Sequence, residues 1–463
     1  MVKIGFGSRI VSPPDGVGLI GYFEKRISKG IKDDLYARCM CFEDGGNPVF
    51  IISTDFCWIE LSVVEKVISL IEERMGIKNP GVVIHATHTH TGPLTGLNRE
   101  LVFTKKIPVN ERYLEELPLM IYNAVEESYR SRQNVLIGFA NIDVPGISFI
   151  RRYRMKNGMT ITNPVDRTRI IKPAGEIDRT LGVMKVTDEK GKLFCVAVNF
   201  VLHPDTIGGD FVSGDWPGML FDRISKNLGC NAIFFNGAAG DINHINPYDS
   251  NTRSIEITEK IVSTLFENTK KLTSDIECFP VKKVLFSQDI IEMPKRKISG
   301  EQIERARKDI QTYPHSNLRS IVARALLSQS EMMADFISNR VSFLTLDRMM
   351  AAFFLSGELF SSIGIKIKKM MNGFENRWVI ENCDGHGGYI PDERAFRDAE
   401  ENRKIRGEEE FPSVDVFESI GMEASYETSP IPCLVAPEVE NSIISGFQKM
   451  LEKHTGLVQS SKD

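Results

Sequence analysis

Three of the chain's eight histidines fall within six residues, in Ile84-His85-Ala86-Thr87-His88-Thr89-His90-Thr91-Gly92-Pro93, directly after the apolar run at 82–84. An extended backbone alternates its side chains, so His88 and His90 are expected on one face at the end of a strand. Neutral imidazole is the commonest metal ligand near neutral pH, and two histidines at this spacing suit zinc. Three more polar residues follow apolar runs in the same way: His203 after 193–202, Asp241 after 233–236 and Glu358 after 351–355. Open α/β sheets collect ligands at the carboxyl ends of their strands, so one cleft is expected to gather them. Singly they also read as a turn histidine, a turn-capping acid and an acid at a helix N-terminus. Their joint placement is harder to assign to accident.

The elements that must hold these residues follow from hydrophobic periodicity. Residues 49–57 read as a buried strand, and 61–75 as a helix with apolar residues at Val64, Val67, Ile68, Ile71 and Met75 before the stop at Gly76. Further strands are expected at 82–84, 193–202, 232–235 and 349–355, and helices at 217–228, 255–266 and 439–451. This alternation predicts an α/β fold, a layered sheet core flanked by helices. Residues 1–463 read as one catalytic unit with charged excursions near 295–330 and 397–423, both expected to be solvated surface.

Composition narrows the function classes. A net charge of -5 gives no long-range pull toward nucleic acid or an anionic membrane. The eight cysteines are scattered and several lie in apolar runs, as reduced core thiols do. The first residues show no signal-peptide core, and no run approaches the roughly 20 apolar residues of a membrane helix. A cytoplasmic enzyme without nucleic-acid or membrane partners is expected, with self-association left open.

The chain resembles the neutral/alkaline (non-lysosomal) ceramidase family over its N-terminal catalytic domain. The resemblance rests on Ile10-Val11-Ser12-Pro13-Pro14, Gly21-Tyr22, Asp34-Leu35-Tyr36-Ala37-Arg38 and Thr87-His88-Thr89-His90-Thr91-Gly92-Pro93. It continues through Arg151-Arg152-Tyr153-Arg154, His203-Pro204, Val212-Ser213-Gly214-Asp215 and Asn236-Gly237-Ala238-Ala239-Gly240-Asp241. Ser356-Gly357-Glu358, Gly388-Tyr389-Ile390-Pro391 and Tyr426-Glu427 complete it, so the motifs run in order along nearly the whole chain. The resemblance implies a zinc amidohydrolase in which His88, His203, Glu358 and Tyr389 hold the metal. It places His90 beside the water or substrate, Arg151 on developing negative charge, and Tyr426 near the reacting group. A zinc so held activates water at neutral pH and polarises a carbonyl.

Two departures bear on substrate. Where the family has serine after its Gly-Asp-Val element, Gly240-Asp241-Ile242 is followed here by Asn243, which is no nucleophile but can orient a substrate. The resemblance also leads to the expectation that the chain ends with the catalytic domain, without the family's immunoglobulin-like C-terminal domain. Asp205, Asp210, Asp215, Asn243, His244, Asn246, Asp384 and His386 are expected around the cleft and argue for a small polar substrate over ceramide. The leading expectation is amide hydrolysis by metal-activated water. A metal-dependent carbohydrate hydrolase or sugar-modifying enzyme, and a non-catalytic ligand-binding descendant, are the alternatives.

Overall fold

The structure is a computed structural model that describes all residues except 23–24, 97–106, 165, 250–253, 315–316, 407–425 and 461–463. Its larger sheet has eight strands, in the order Asn231–Asn236, Leu193–Phe200, Thr180–Asp188, Gln133–Asp143, Lys3–Ile10, Tyr36–Glu43, Val49–Thr54, Gly81–Ala86. Interior pairs are antiparallel, and the outermost pair at each edge is parallel. Parallel neighbours need a crossover, supplied by helix Leu61–Met75 at one edge and helix Asp215–Leu228 at the other. A second sheet, Val284–Pro294, Phe336–Leu346, Met350–Leu355 and Asn376–Ile380, ends in a third parallel pair joined through helix Ser361–Met370.

Period-two side-chain alternation makes the layers. Cys39, Cys41, Phe50, Ile52, Val82 and Ile84 point outward under helices Leu61–Met75 and Glu111–Arg130. Their neighbours Met40, Phe42, Val49, Ile51 and Val83 point inward, against Leu344, Met350, Ala352, Phe354 and Trp378 of the second sheet. Helices Ser361–Met370 and Val439–Ser460 cover the far face of that second sheet. The result is four layers, helix, sheet, sheet, helix, with an apolar interior between the sheets. Each fully buried aliphatic or aromatic side chain contributes roughly 1.5–3 kcal/mol to this association.

The two edges of the larger sheet also meet. Ser53 Oγ donates to the Phe234 carbonyl at 2.7 Å, and the Asn236 N–H donates to His85 Nε2 at 3.1 Å. Ser53 Oγ has given its proton to Phe234, so it accepts from His85 Nδ1 at 3.1 Å, which fixes the tautomer. Burial, with the nearby His88 as a lesser cause, lowers the His85 pKa to about 3, so the clasp is neutral. The strand ends that lead to His88 and to Gly240 are thereby brought together.

The predicted elements agree with these within a few residues, except that the helices expected at 255–266 and 439–451 run on through Ile255–Asp275 and Val439–Ser460. The charged excursions differ from expectation. Helices Gly300–Thr312 and Leu318–Ser330 form a hairpin with its own small core of Ala306, Ala323 and Leu326. Helix Glu393–Arg406 is solvated on one side only. Its inner face buries Asp398 and Asn402, which bond Arg152 and Thr160. The part of that excursion from 407 to 423 lies outside the described residues. Among the described residues, no helix is long and apolar enough to cross a membrane.

Candidate metal centre

The strand carrying His85 stops at Ala86, short of His88 and His90, which an extended reading of the motif puts at its end. His88 has φ +72°, a left-handed conformation that a non-glycine residue adopts at a cost of order 1 kcal/mol. The side chains of His88 and His90 therefore converge because the loop turns, not because a strand alternates. Their Nε2 atoms are 3.3 Å apart. Gly21 (φ +106°) passes directly beneath, and a Cβ there would stand 2.6 Å from the His90 ring. The Arg26 guanidinium donates to the His90 carbonyl at 2.6 Å, holding the loop from behind.

His203 arrives from the other edge of the sheet, 115 residues away, with its Nε2 3.2 Å from that of His88. Each ring is fixed through its other nitrogen. His88 Nδ1–H donates to the Cys57 carbonyl at 2.7 Å and His203 Nδ1–H to the Ala239 carbonyl at 3.3 Å, so both Nε2 lone pairs face inward. Glu358 comes from the second sheet. Its Oε2 stands 3.3 Å from His88 Nε2 and 3.7 Å from His203 Nε2. All three residues are buried, and their ligand atoms lie within 4.8 Å of one another.

Glu358 and Tyr389 face each other in a two-stranded parallel ladder. The tyrosine is buried and hydrogen-bonds both Glu358 and Arg151. Its ring packs edge-on against Tyr426, with centroids 5.5 Å apart. Arg151 donates from Nη2 to the Gly240 carbonyl at 2.7 Å and from Nε to Glu427 at 2.9 Å. Gly240 is pressed so closely onto the Glu358 strand that a Cβ would meet the Glu358 carbonyl oxygen at 2.5 Å.

Three lone-pair-bearing atoms thus point at one another in a buried space, and Glu358 Oε2 is buried with no hydrogen-bond donor. That is the donor set of a cation. The residues fit zinc, with two imidazoles, a carboxylate and a neighbouring tyrosine oxygen, better than magnesium, which prefers oxygen throughout. Without a cation, the electrostatics are those of competing groups. Burial pushes the His88 pKa down, but Cys57 and Glu358 beside it raise it well above the ordinary value. His203 is held well below it by burial and by His88, His90 and Arg151. Burial pushes Glu358 up, yet the two imidazoles and the Tyr389 hydrogen bond keep it below the usual carboxylate range.

The structure therefore brings together His88, His90, His203, Glu358, Tyr389, Arg151 and Tyr426. Asn243 is different. It sits on a short strand paired with Phe149-Ile150, and its amide donates to Asn163 at 2.8 Å and accepts from the Ile245 N–H at 3.1 Å. Much of the expected polar collar is likewise spent internally. Asp215 accepts from the Thr206, Ile207 and Trp216 N–H groups, Asp384 accepts from the Ile84 N–H, and His386 stacks on Trp58 at 4.2 Å. Asp241 accepts from the Ser361 N–H and holds the Arg151 N–H on its carbonyl. Asp205 does reach the centre, 3.8 Å from His90 Nδ1 and hydrogen-bonded to the Tyr22 hydroxyl.

Sequence reading missed the Cys57 and Ala239 carbonyls that set the imidazole tautomers, since no side chain marks them. It also gave no role to Glu427, although that residue closes the last family motif.

The family model described as neutral/alkaline non-lysosomal ceramidase, N-terminal, matches residues 3–228. The chain is ceramidase-like. Its fold agrees with that of the neutral ceramidase of Pseudomonas aeruginosa, with a TM-score of 0.69 at 14% identity, covering 97% of this chain and 73% of that one. A structure titled as ceramidase complexed with C2 matches with a TM-score of 0.66 at 14% identity, covering 99% of this chain and 75% of that one. The ceramidase-like fold extends past residue 228 to include the elements that carry Glu358 and Tyr389.

Proposed function

We propose that this ceramidase-like chain is a zinc-dependent hydrolase that cleaves the amide bond of an N-acyl compound. The observation that carries this reading is the convergence of His88 Nε2, His203 Nε2 and Glu358 Oε2 within 3.2–3.7 Å, with no proton donor to Oε2. His88, His203, Glu358 and Tyr389 would hold the ion. When bound, it supplies Lewis-acid activation of water and of the amide carbonyl.

The chain's own groups then divide the work. Arg151 and the Tyr426 hydroxyl stand on the side of Tyr389 where negative charge on a carbonyl oxygen would be met by donors. His90, with Nε2 facing the centre and Asp205 behind Nδ1, can take a proton and pass it to the leaving nitrogen. Ile20, Cys57, Trp58, Leu94 and Ile107 form a buried apolar cluster beside His88, which makes that flank of the centre apolar. Since Asp215, Asp384 and Asn243 are engaged internally, the argument for a small polar substrate loses most of its support. An amphiphilic N-acyl amide fits better, and the sugar reading loses its basis.

Eight free cysteines fit a reducing compartment, and we place the protein in the cytoplasm. The test is a panel of N-acyl amides of graded chain length, assayed for amine release with zinc-loaded and chelator-treated protein. Release that requires the metal supports the reading. Full activity after complete metal removal would overturn it.

A further inference from the structure

Among the buried charged groups without an assigned role, Glu427 makes the most specific contacts. It is 1% exposed, and all its described hydrogen-bond partners belong to the strands around Arg151. Oε1 accepts from Arg151 Nε at 2.9 Å, Thr162 Oγ1 lies 3.1 and 2.9 Å from its two oxygens, and Arg152 Nε stands 3.8 Å from Oε2. Arg152 and Thr162 are direct ladder partners, so the carboxylate is seated on a rigid pair.

A guanidinium has five N–H groups in one plane. In Arg151, Nε is committed to Glu427 and one Nη2 proton to the Gly240 carbonyl. The rest of the fork is left for Tyr389, with which Arg151 shares a hydrogen bond. Rotating the plane would break both fixed contacts. We propose that Glu427 is a positioning residue for Arg151: it locks the guanidinium in the orientation that presents its remaining donors to Tyr389 and the reacting carbonyl. This rests on the hydrolase reading above.

The role needs a carboxylate. One oxygen of Glu427 faces Arg151 Nε and the other faces Arg152 Nε, and since a guanidinium only donates, a glutamine would turn its own NH₂ toward one of them in either amide orientation. Misplacement by about 1 Å near a reacting centre can cost about 100-fold in rate. The expected effect is thus on turnover, not on substrate binding or metal content.

The test is a double-mutant cycle on the zinc-loaded full chain, using the best amide of the panel, together with the Arg151 Nε–H resonance. Glu427→Gln should lower kcat about 10- to 100-fold with KM within about threefold and the metal content intact. In an Arg151→Ala background the same substitution should change kcat less than about twofold, because a group that acts only through Arg151 has nothing left to position. Should Glu427→Gln fail to fold, Thr162→Val removes one bond to the carboxylate without moving a charge and should show a smaller loss that also vanishes in that background. An undiminished effect in the Arg151→Ala background, or wild-type kcat in both variants, overturns the proposal. Arg151→Ala itself tests the hydrolase reading separately. If the wild type cleaves no amide, the Arg151 Nε–H still decides: slow exchange that is lost in Glu427→Gln upholds the lock, and no change refutes it.

Discussion

His85 Nε2 accepts the backbone N–H of Asn236 at 3.1 Å, joining the two edge strands of the larger sheet through one side chain. The ligand His88 follows the first of these strands, and His203 follows Leu193–Phe200, the parallel neighbour of the second. Replacing His85 by Leu leaves the Asn236 N–H without its acceptor and removes the donor to Ser53 Oγ, and each buried loss costs about 1–3 kcal/mol. We expect His85→Leu to lose about 2–4 kcal/mol of stability and to bind metal at least about tenfold more weakly. Denaturant unfolding and metal titration read both. A variant with wild-type metal affinity would show that the clasp does not set the spacing of the ligands.

Metal content separates a cation centre from a structural cluster of histidines. His203→Ala should remove stoichiometric zinc while leaving the far-ultraviolet circular dichroism unchanged, since His203 lies beyond the strand end and outside the apolar clusters. Glu358→Gln should retain the fold and bind metal more weakly. In the wild type, a chelator should lower the melting temperature, because ligand at about 100 times its Kd adds roughly 2.7 kcal/mol. In His203→Ala the chelator should have no effect. An unfolded His203→Ala would favour the purely structural role.

The C-terminal helix supplies a pH test away from the centre. His454 is buried, bonded to Thr345 Oγ1 at 2.9 Å and edge-on to Phe343, and burial lowers its pKa to about 4. Above the unfolded value of about 6.5 both states are neutral and no slope arises. Between about 6.5 and 4 the unfolded chain takes up a proton that the folded chain refuses, so stability falls as pH falls through that window. The full loss, complete only below about pH 4, is on the order of 3–4 kcal/mol, at about 1.4 kcal/mol per pKa unit. Unfolding free energies at pH 5 and pH 7 should differ less in His454→Gln than in the wild type by about 2 kcal/mol, the part of the window those two values span. Equal slopes would place the titration elsewhere.

These outcomes bear on what a sequence discloses. The helix at Leu61–Met75 and the parallel strands were legible because apolar periodicity is local, and the ligand types were legible because they follow those strands. The gathering of His88 with His203 was legible in the same way, from their places after strands; the clasp that brings the sheet edges together was not, since the sequence shows His85 only as another histidine in the motif. The left-handed turn at His88 likewise has no marker, because glycine does not stand there. The polar collar was misjudged for a related reason. Composition identifies Asp215 and Asp384 as acids, but only packing reveals that each is occupied by backbone N–H groups. The charged run that includes Asp398 was read as solvated because its periodicity is polar throughout, while its inner face answers Arg152.

Arg151 and Asn243 should separate turnover from substrate fit. Arg151 contacts Tyr389 and faces the centre, so Arg151→Ala should lower kcat and kcat/KM together, by about 100- to 1,000-fold if it meets a developing oxyanion. Asn243 bonds Asn163 and the Ile245 N–H, so its loss would loosen the loop that follows without removing a donor to the reacting atoms. Asn243→Ala should therefore raise KM several-fold with kcat within about threefold. Steady-state kinetics of both variants on one amide distinguish the roles. If Arg151→Ala changed KM alone, its guanidinium would be holding a substrate group in the ground state, and a carboxylate or phosphate on the substrate would become the better explanation.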